Sequence, residues 1–216
     1  MIAHSIHRRA AVAAIGMFAI AASGCGKYVR DQGTAPAQVV VTALQGASGA
    51  TPTQFGGTLF SDVVTEVTKP APTCMTTSPC ASIFPDVGSV SMALILKDPG
   101  QAGTQASPTA LNQVTFDRYH VEYVRSDGRN VQGVDVPYAF DGGITFTVPA
   151  SGTVTQTFEI VRYTAKSEAP LVALKTNGVI IDAIAQVTFY GHDQAGNAVV
   201  ASASIQVNFG NFGDPS

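Results

Sequence analysis

The chain has 216 residues, of which 45% are hydrophobic, 12% charged and 8% aromatic, with 21 Gly, 12 Pro and no Trp. Its 12 Lys and Arg face 15 Asp and Glu, so no basic excess points to nucleic acid. The apolar share excludes a disordered chain, which combines low hydrophobicity with high net charge, and the length suits one domain.

Residues 1–24 read as an export signal. Arg8 and Arg9 give the first nine residues positive charge, and Ala10 to Ala22 follow as 13 residues without charge. That run is too short for a default spanning helix, which needs about 20 apolar residues. Small residues then lead into a cysteine, Ala22-Ser23-Gly24-Cys25. This tetrapeptide resembles the lipobox of bacterial lipoproteins, although that family usually has Leu where this chain has Ala22. The resemblance implies cleavage before Cys25, a diacylglycerol on its sulfur and an acylated new amine. Stable anchoring needs at least two acyl chains, which this arrangement would supply. Gly26 stands where an Asp retains enterobacterial lipoproteins at the inner membrane, so the pattern implies a lipid-anchored protein of the bacterial cell envelope, at the outer membrane. Without Arg8 and Arg9 the mature chain holds 10 basic against 15 acidic residues, a net charge of −5, which bears on solubility more than on partner choice.

Residues 25–38 are polar and rich in small side chains, and read as the tether between lipid and domain. The domain is expected over 39–212, built of period-two segments separated by Gly, Pro, Asn and Asp. In chain order, strands are expected at Val39 to Leu44 and Leu59 to Val67. Cys74 and Cys80 follow in a polar, Pro-containing loop. In an exported chain that pair reads as a local disulfide. A zinc site would need three or four ligands, and no His is near.

Val90, Met92, Leu94 and Leu96 share one face of the next strand. Tyr119, Val121 and Tyr123 share a face of another, which ends in Ser126-Asp127-Gly128-Arg129. Asp-Gly is a strong hairpin signal, so a return strand is expected over Val131 to Val136. Ile144 to Val148 and Val154 to Tyr163 flank Pro149-Ala150-Ser151-Gly152 and read as another hairpin. Ser167 to Lys175 is the best candidate for a short helix, with Ser167 as N-cap and Asn177-Gly178 at its end. Gly46 to Gly57 and Asp98 to Ala110 read as loops.

The clearest alternation runs from Val199 to Phe209, with Val199, Ala201, Ala203, Ile205, Val207 and Phe209 on one face. Its expected partner is Ile184 to Gly191, joined through His192-Asp193-Gln194-Ala195-Gly196-Asn197. The total is eight or nine short strands and almost no helix, which excludes Rossmann and TIM architectures and predicts an all-β antiparallel β-sandwich. The stretch Phe189 to Ala201 is similar to the penultimate hairpin of bacterial immunoglobulin-like and fibronectin type III-like domains. That resemblance covers about 25 residues, Ile184 to Phe209, and implies an Ig-like sandwich. It carries no activity, and the Trp and intersheet Cys pair of antibody domains are missing.

Chemistry-bearing motifs are absent. No nucleophile elbow, phosphate-binding loop, dinucleotide fingerprint or His-Glu-x-x-His occurs. His120 lies on an outer strand face and His192 opens a turn. Asp127, Asp135, Asp141 and Glu159 could serve as paired carboxylates, but Asp127 and Asp193 already have turn roles. Asp193, Asn197 and Asp141-Gly142 offer oxygen ligands for weak Ca²⁺ binding. Phe55, Phe60, Phe84, Tyr138 and Phe140 could form a platform for sugars or peptides, or cover the core.

No catalytic residue, metal or cofactor is therefore expected. The site residues are Cys25 for lipidation and Cys74 with Cys80 for the bridge. The function expected is a non-catalytic structural or interaction module. Its membrane contact would come through the N-terminal lipid, and its partner would be an envelope protein or a glycan. A carbohydrate- or small-ligand-binding module is the alternative, and a hydrolase the third.

Overall fold

The computed structural model describes residues 35–70 and 73–213. The export signal, Cys25 and most of the tether lie outside the described residues. Among the described residues ten strands form, one or two more than expected: β1 (Ala37–Ala47), β2 (Thr58–Asp62), β3 (Thr65–Val67), β4 (Cys80–Ser82), β5 (Asp86–Leu96), β6 (Val114–Val124), β7 (Phe140–Val148), β8 (Thr153–Val161), β9 (Ile181–Asp193) and β10 (Ala198–Gly210).

The strands make a three-stranded sheet, β1-β5-β8, and a five-stranded sheet, β2-β10-β9-β6-β7, with β3 and β4 paired as a small ribbon. Pairing is antiparallel except where β2 runs parallel to β10. The two large sheets enclose one core, because period-two alternation gives each an apolar face. Phe189 of β9 lies at its centre, with ring centroids 5.3 Å from Phe158 of the opposite sheet and 6.2 Å from Phe116 and Tyr119. The phenol of Tyr123 donates to the Ile160 carbonyl at 2.6 Å, joining β6 to β8 across the sandwich. Burial drives that phenol's pKa far above its ordinary value.

The β9–β10 hairpin forms as the sequence predicts, with Ala198 facing His192 and Phe209 facing Ile181. β6 also alternates as expected over Tyr119, Val121 and Tyr123. Asp117 is an extra residue against β9, where Phe116 faces Gly191 and Arg118 faces Tyr190. This bulge shifts the parity, so that Val114 and Phe116 are buried together with Tyr119. A side chain at Gly191 would strike the Thr115 carbonyl, and one at Gly142 would strike the Tyr119 ring.

The single strand expected over Leu59 to Val67 divides across Val63 and Val64 into β2 and β3, which lie in different sheets, and three further expectations fail. Val131 to Val136 is a loop, not a strand: the amides of Val134 and Asp135 donate back to the Val131 carbonyl at 3.1 and 2.8 Å. The Asp-Gly turn does form, with Gly128 at φ +81°, but Asp127 ties it to Arg125 and Arg129, and the return strand starts only at Phe140. Second, β7 and β8 are not a hairpin. Pro149 to Gly152 carry the chain from one sheet to the other, so each strand pairs elsewhere. Third, the expected helix at Ser167 to Lys175 is two 3₁₀ turns, Thr164–Ser167 and Leu171–Thr176. Ser167 closes the first turn, and Pro170 sits before the second with no N–H to continue the ladder between them.

The chain enters the sandwich at the end marked by Ala37, Leu96, Val114, Val148, Thr153 and Ala198. β1 begins two residues before the expected strand start, and Ala35 and Ala37 are already buried. This entry end carries the segment 97–113 and two short turns. The opposite end carries four connections, 48–57, 63–85, 125–139 and 162–180.

Candidate functional site

The residues with chemistry to offer fall in three places. The first is the end opposite chain entry, where loops dominate. Cys74 and Cys80 are joined as a disulfide there, with Cα atoms 5.3 Å apart. The bridge closes a tight turn in which Met75 and Ser78 exchange backbone bonds. Cys80 then opens β4, paired to β3. A ring this small restricts the unfolded chain only modestly, so opening it with Cys74→Ser/Cys80→Ser is expected to cost about 2 kcal/mol or less. A thermal melt checks this, and counting thiols on the denatured, unreduced chain should find neither Cys free.

Beneath the same loops lies a buried charge cluster that sequence reading missed. Lys166 Nζ donates to Asp86 Oδ1 at 2.7 Å, and both side chains are almost wholly excluded from solvent. Ser61 Oγ donates to Asp86 Oδ2 at 2.6 Å and the Gly49 amide to Oδ1 at 2.9 Å. Burial pushes the Asp86 carboxyl up, against the opposing pull of Lys166, Ser61 and Gly49. The cluster ties together the loop after β1, β2, the start of β5 and the first 3₁₀ turn. Its partners are 80 residues apart in sequence, so no local pattern announces it.

The loops above this cluster expose apolar side chains. Val131, Val134 and Tyr138 in one loop are 60%, 67% and 50% exposed, and Tyr163, Val179 and Ile180 in the next are also at the surface. Arg125 and Arg129 both clasp Asp127, and these bonds, Arg125's first, hold its carboxyl well below the usual carboxylate range. Asp135 Oδ2 accepts from the Val131 amide.

The second place is the outer face of the five-stranded sheet. Ser202, Thr188, His120 and Asp141 stand opposite one another across β10, β9, β6 and β7. His120 Nδ1 lies 3.3 Å from Asp141 Oδ1, and Thr188 Oγ1 lies 3.3 Å from Ser202 Oγ. Arg118 sits 3.5 Å from the same carboxylate and over the Tyr190 ring at 4.3 Å. Acid, imidazole and hydroxyls thus share a row, as acyl transfer would require. The row is a flat, solvent-facing stretch of sheet whose backbone amides serve the strand ladder.

The third place is the β9–β10 turn. Asp193 Oδ1 accepts from the amides of Ala195 and Asn197 at 2.9 and 2.8 Å, and Oδ2 accepts from Asn197 Nδ2 at 2.9 Å. Burial raises this carboxyl, but the bonds from Asn197, Ala195 and Gly196 together outweigh it and leave the pKa lowered. A lowered folded pKa contributes stability above the unfolded value near 4 that is lost as pH falls through the folded one. Asp193→Asn is therefore expected to destabilise by about 1–2 kcal/mol at pH 7. Its melting curve should approach that of the unmodified chain only as pH falls through the lowered folded pKa, below the ordinary carboxylate value, where the native carboxyl is protonated as well.

The oxygen ligands considered for Ca²⁺ do not come together. Asp193 spends its carboxylate on the turn, and Asp141 faces His120, six residues along β6 from the partner of Asp193, about 20 Å away. Among the described residues no group of three or more His, Cys, Asp or Glu is placed to hold a metal ion. Of the carboxylates weighed as an acid–base pair, Asp127 and Asp135 lie in the loop after β6 and Asp141 and Glu159 on strands of different sheets. The loop aromatics do not form one platform either. Phe140 is in the core beside Tyr119, Phe60 packs on Phe212 at 5.6 Å, and Tyr138 lies against Gly133.

No protein-family model, curated protein or solved structure matches the chain.

Proposed function

We propose that this chain is a lipid-tethered protein of the bacterial envelope, anchored through Cys25, whose sandwich acts as a non-catalytic interaction module. The observation that carries this reading is a polarity in the domain. The chain enters at one end, where Ile95 and Leu111 are exposed, while the larger group of exposed apolar side chains, Val131, Val134, Tyr138, Tyr163, Val179 and Ile180, belongs to loops of the other. A domain held at its entry end by a tether would present those loops away from the membrane. Apolar side chains at a polar-rimmed surface are the usual mark of protein contact.

The disulfide and the Asp86–Lys166 cluster support the same reading, because rigid loops lose less entropy on binding. The immunoglobulin-like part of the proposal draws on connectivity. β1-β5-β8 and β10-β9-β6-β7 follow the A-B-E and G-F-C-C′ orders of such sandwiches.

The test is fractionation of cells expressing the full chain. With Cys25→Ser the exported protein should move from the membrane pellet to the soluble fraction. Unchanged membrane retention would refute the tether.

A further inference from the structure

The outer edge of β8 pairs with no strand among the described residues. Which of its backbone groups face outward follows from one side chain. Gln156 Nε2 donates to the Thr157 carbonyl at 3.2 Å, so that carbonyl points away from β5. In a strand, a residue's N–H and C=O point to the same edge and alternate along the chain. Thr153, Thr155, Thr157 and Glu159 therefore present their backbone groups outward, and Val154, Gln156 and Phe158 bond to β5. On β5 the matching alternation turns Ser91 toward β1, where its carbonyl accepts from Thr42.

This edge carries one guard, a bulge at Ile160 between Glu159, which faces Val87, and Val161, which faces Asp86, and the regular stretch before it lacks the others. Natural edge strands carry Lys, Pro, bulges or extreme shortness. β8 has nine residues, Thr-Val-Thr-Gln-Thr-Phe-Glu-Ile-Val, with one charge and no Pro. Six of the nine are β-branched, which favours extended pairing.

We infer that β8 pairs antiparallel with β8 of a second copy of this chain, centred on Thr157, to join two three-stranded sheets into one of six strands. The sequence is self-complementary in that register. Thr157 faces Thr157 of the other copy, and Thr155 faces Glu159. The single carboxylate thus never faces its own copy, and the central Thr pair is a favourable cross-strand pair. The outward N–H and C=O groups of Thr155, Thr157 and Glu159 are matched, for about six hydrogen bonds. A register centred on Glu159 would oppose two carboxylates and leave most of the strand unpaired. The Gln156 side chain is displaced from the Thr157 carbonyl in the process.

Cysteine substitution reads both association and register. Paired Cα atoms at the centre are about 5.5 Å apart, within reach of a disulfide. In the full chain, solubilised from membranes, Thr157→Cys should give a reducible dimer on a non-reducing gel. Thr153→Cys is equally exposed, but its copies would be about 27 Å apart, and it should give no dimer beyond that of the unmodified chain. Light scattering on the unmodified chain should report twice the monomer mass. Thr157→Pro removes an outward N–H that an edge strand can spare, and should yield a folded monomer whose melting temperature, unlike that of the unmodified chain, does not depend on protein concentration. A monomeric unmodified chain, equal crosslinking at both positions, or a dimer that survives Thr157→Pro would each overturn the inference. Should Thr157→Pro fail to fold, the contrast between the two Cys variants still decides.

Discussion

Replacing Lys166 with Met is expected to lower stability by about 3–5 kcal/mol, since it leaves the Asp86 carboxylate buried without its cation. In a domain of this size that is a fall in melting temperature of roughly 10–15 °C. Asp86 is wholly inaccessible to solvent, so water cannot replace the lost partner. Ser61 and Gly49 remain as donors, but neither carries charge. The double variant Asp86→Leu/Lys166→Met should recover most of the loss, because removing both members of a buried pair is often close to neutral. Thermal denaturation of the two variants separates a buried pair from an incidental contact. Equal losses in the single and double variants would mean that the site cannot tolerate apolar packing. A single variant within 1 kcal/mol of the parent would mean that the pair contributes little.

Phe189→Ala should cost a similar amount, about 3–5 kcal/mol. Phe189 is fully buried and lies between the sheets, within 5.3–6.4 Å, centroid to centroid, of Phe116, Tyr119, Phe146 and Phe158. Four rings would lose contact at once, and the cavity cannot close, because β9 is pinned on both sides by β6 and β10. Phe189→Leu fills more of the space and should cost about half as much. Denaturant titration reads both. An unchanged slope with a lower midpoint indicates lost packing in an otherwise intact fold.

Alternation made much of this fold legible before any coordinates. The β9–β10 hairpin could be read at once, because one stripe of apolar residues and one turn with a clear mechanism lie side by side in sequence. The turn after Gly128 was legible as a turn but not as a hairpin. Turn chemistry fixes where the chain bends and not how soon it returns, and the Arg125–Asp127–Arg129 clasp builds a longer loop instead. Pro149 to Gly152 misled for a related reason, since the same residues suit a hairpin and a crossing between sheets. The disulfide was legible from spacing and context. The Asp86–Lys166 cluster was not, because a Lys in a polar stretch and an Asp at a strand start look like surface residues until the fold brings their segments together. The outer-face row of Ser202, Thr188, His120 and Asp141 was hidden likewise. It is a product of strand order, which local pattern does not encode.

Those two hidden features differ in what they do. The buried cluster braces the loop end and so bears on how the domain presents Val131, Val134 and Tyr138. The outer-face row has carboxylate, imidazole and hydroxyl in line, yet it lies on a plane open to water. Preorganised donors in a dry site usually supply the largest part of catalysis, and His120 and Asp141 are solvent-exposed on this face.

The central claim is a domain tethered to the envelope at its N-terminal side, and the intact mass of the protein extracted from its native membrane tests it most directly. The account predicts a chain that begins at Cys25 and carries the added mass of a diacylglycerol and an N-acyl group. A chain without acyl mass, whether cleaved elsewhere or uncleaved, would contradict it.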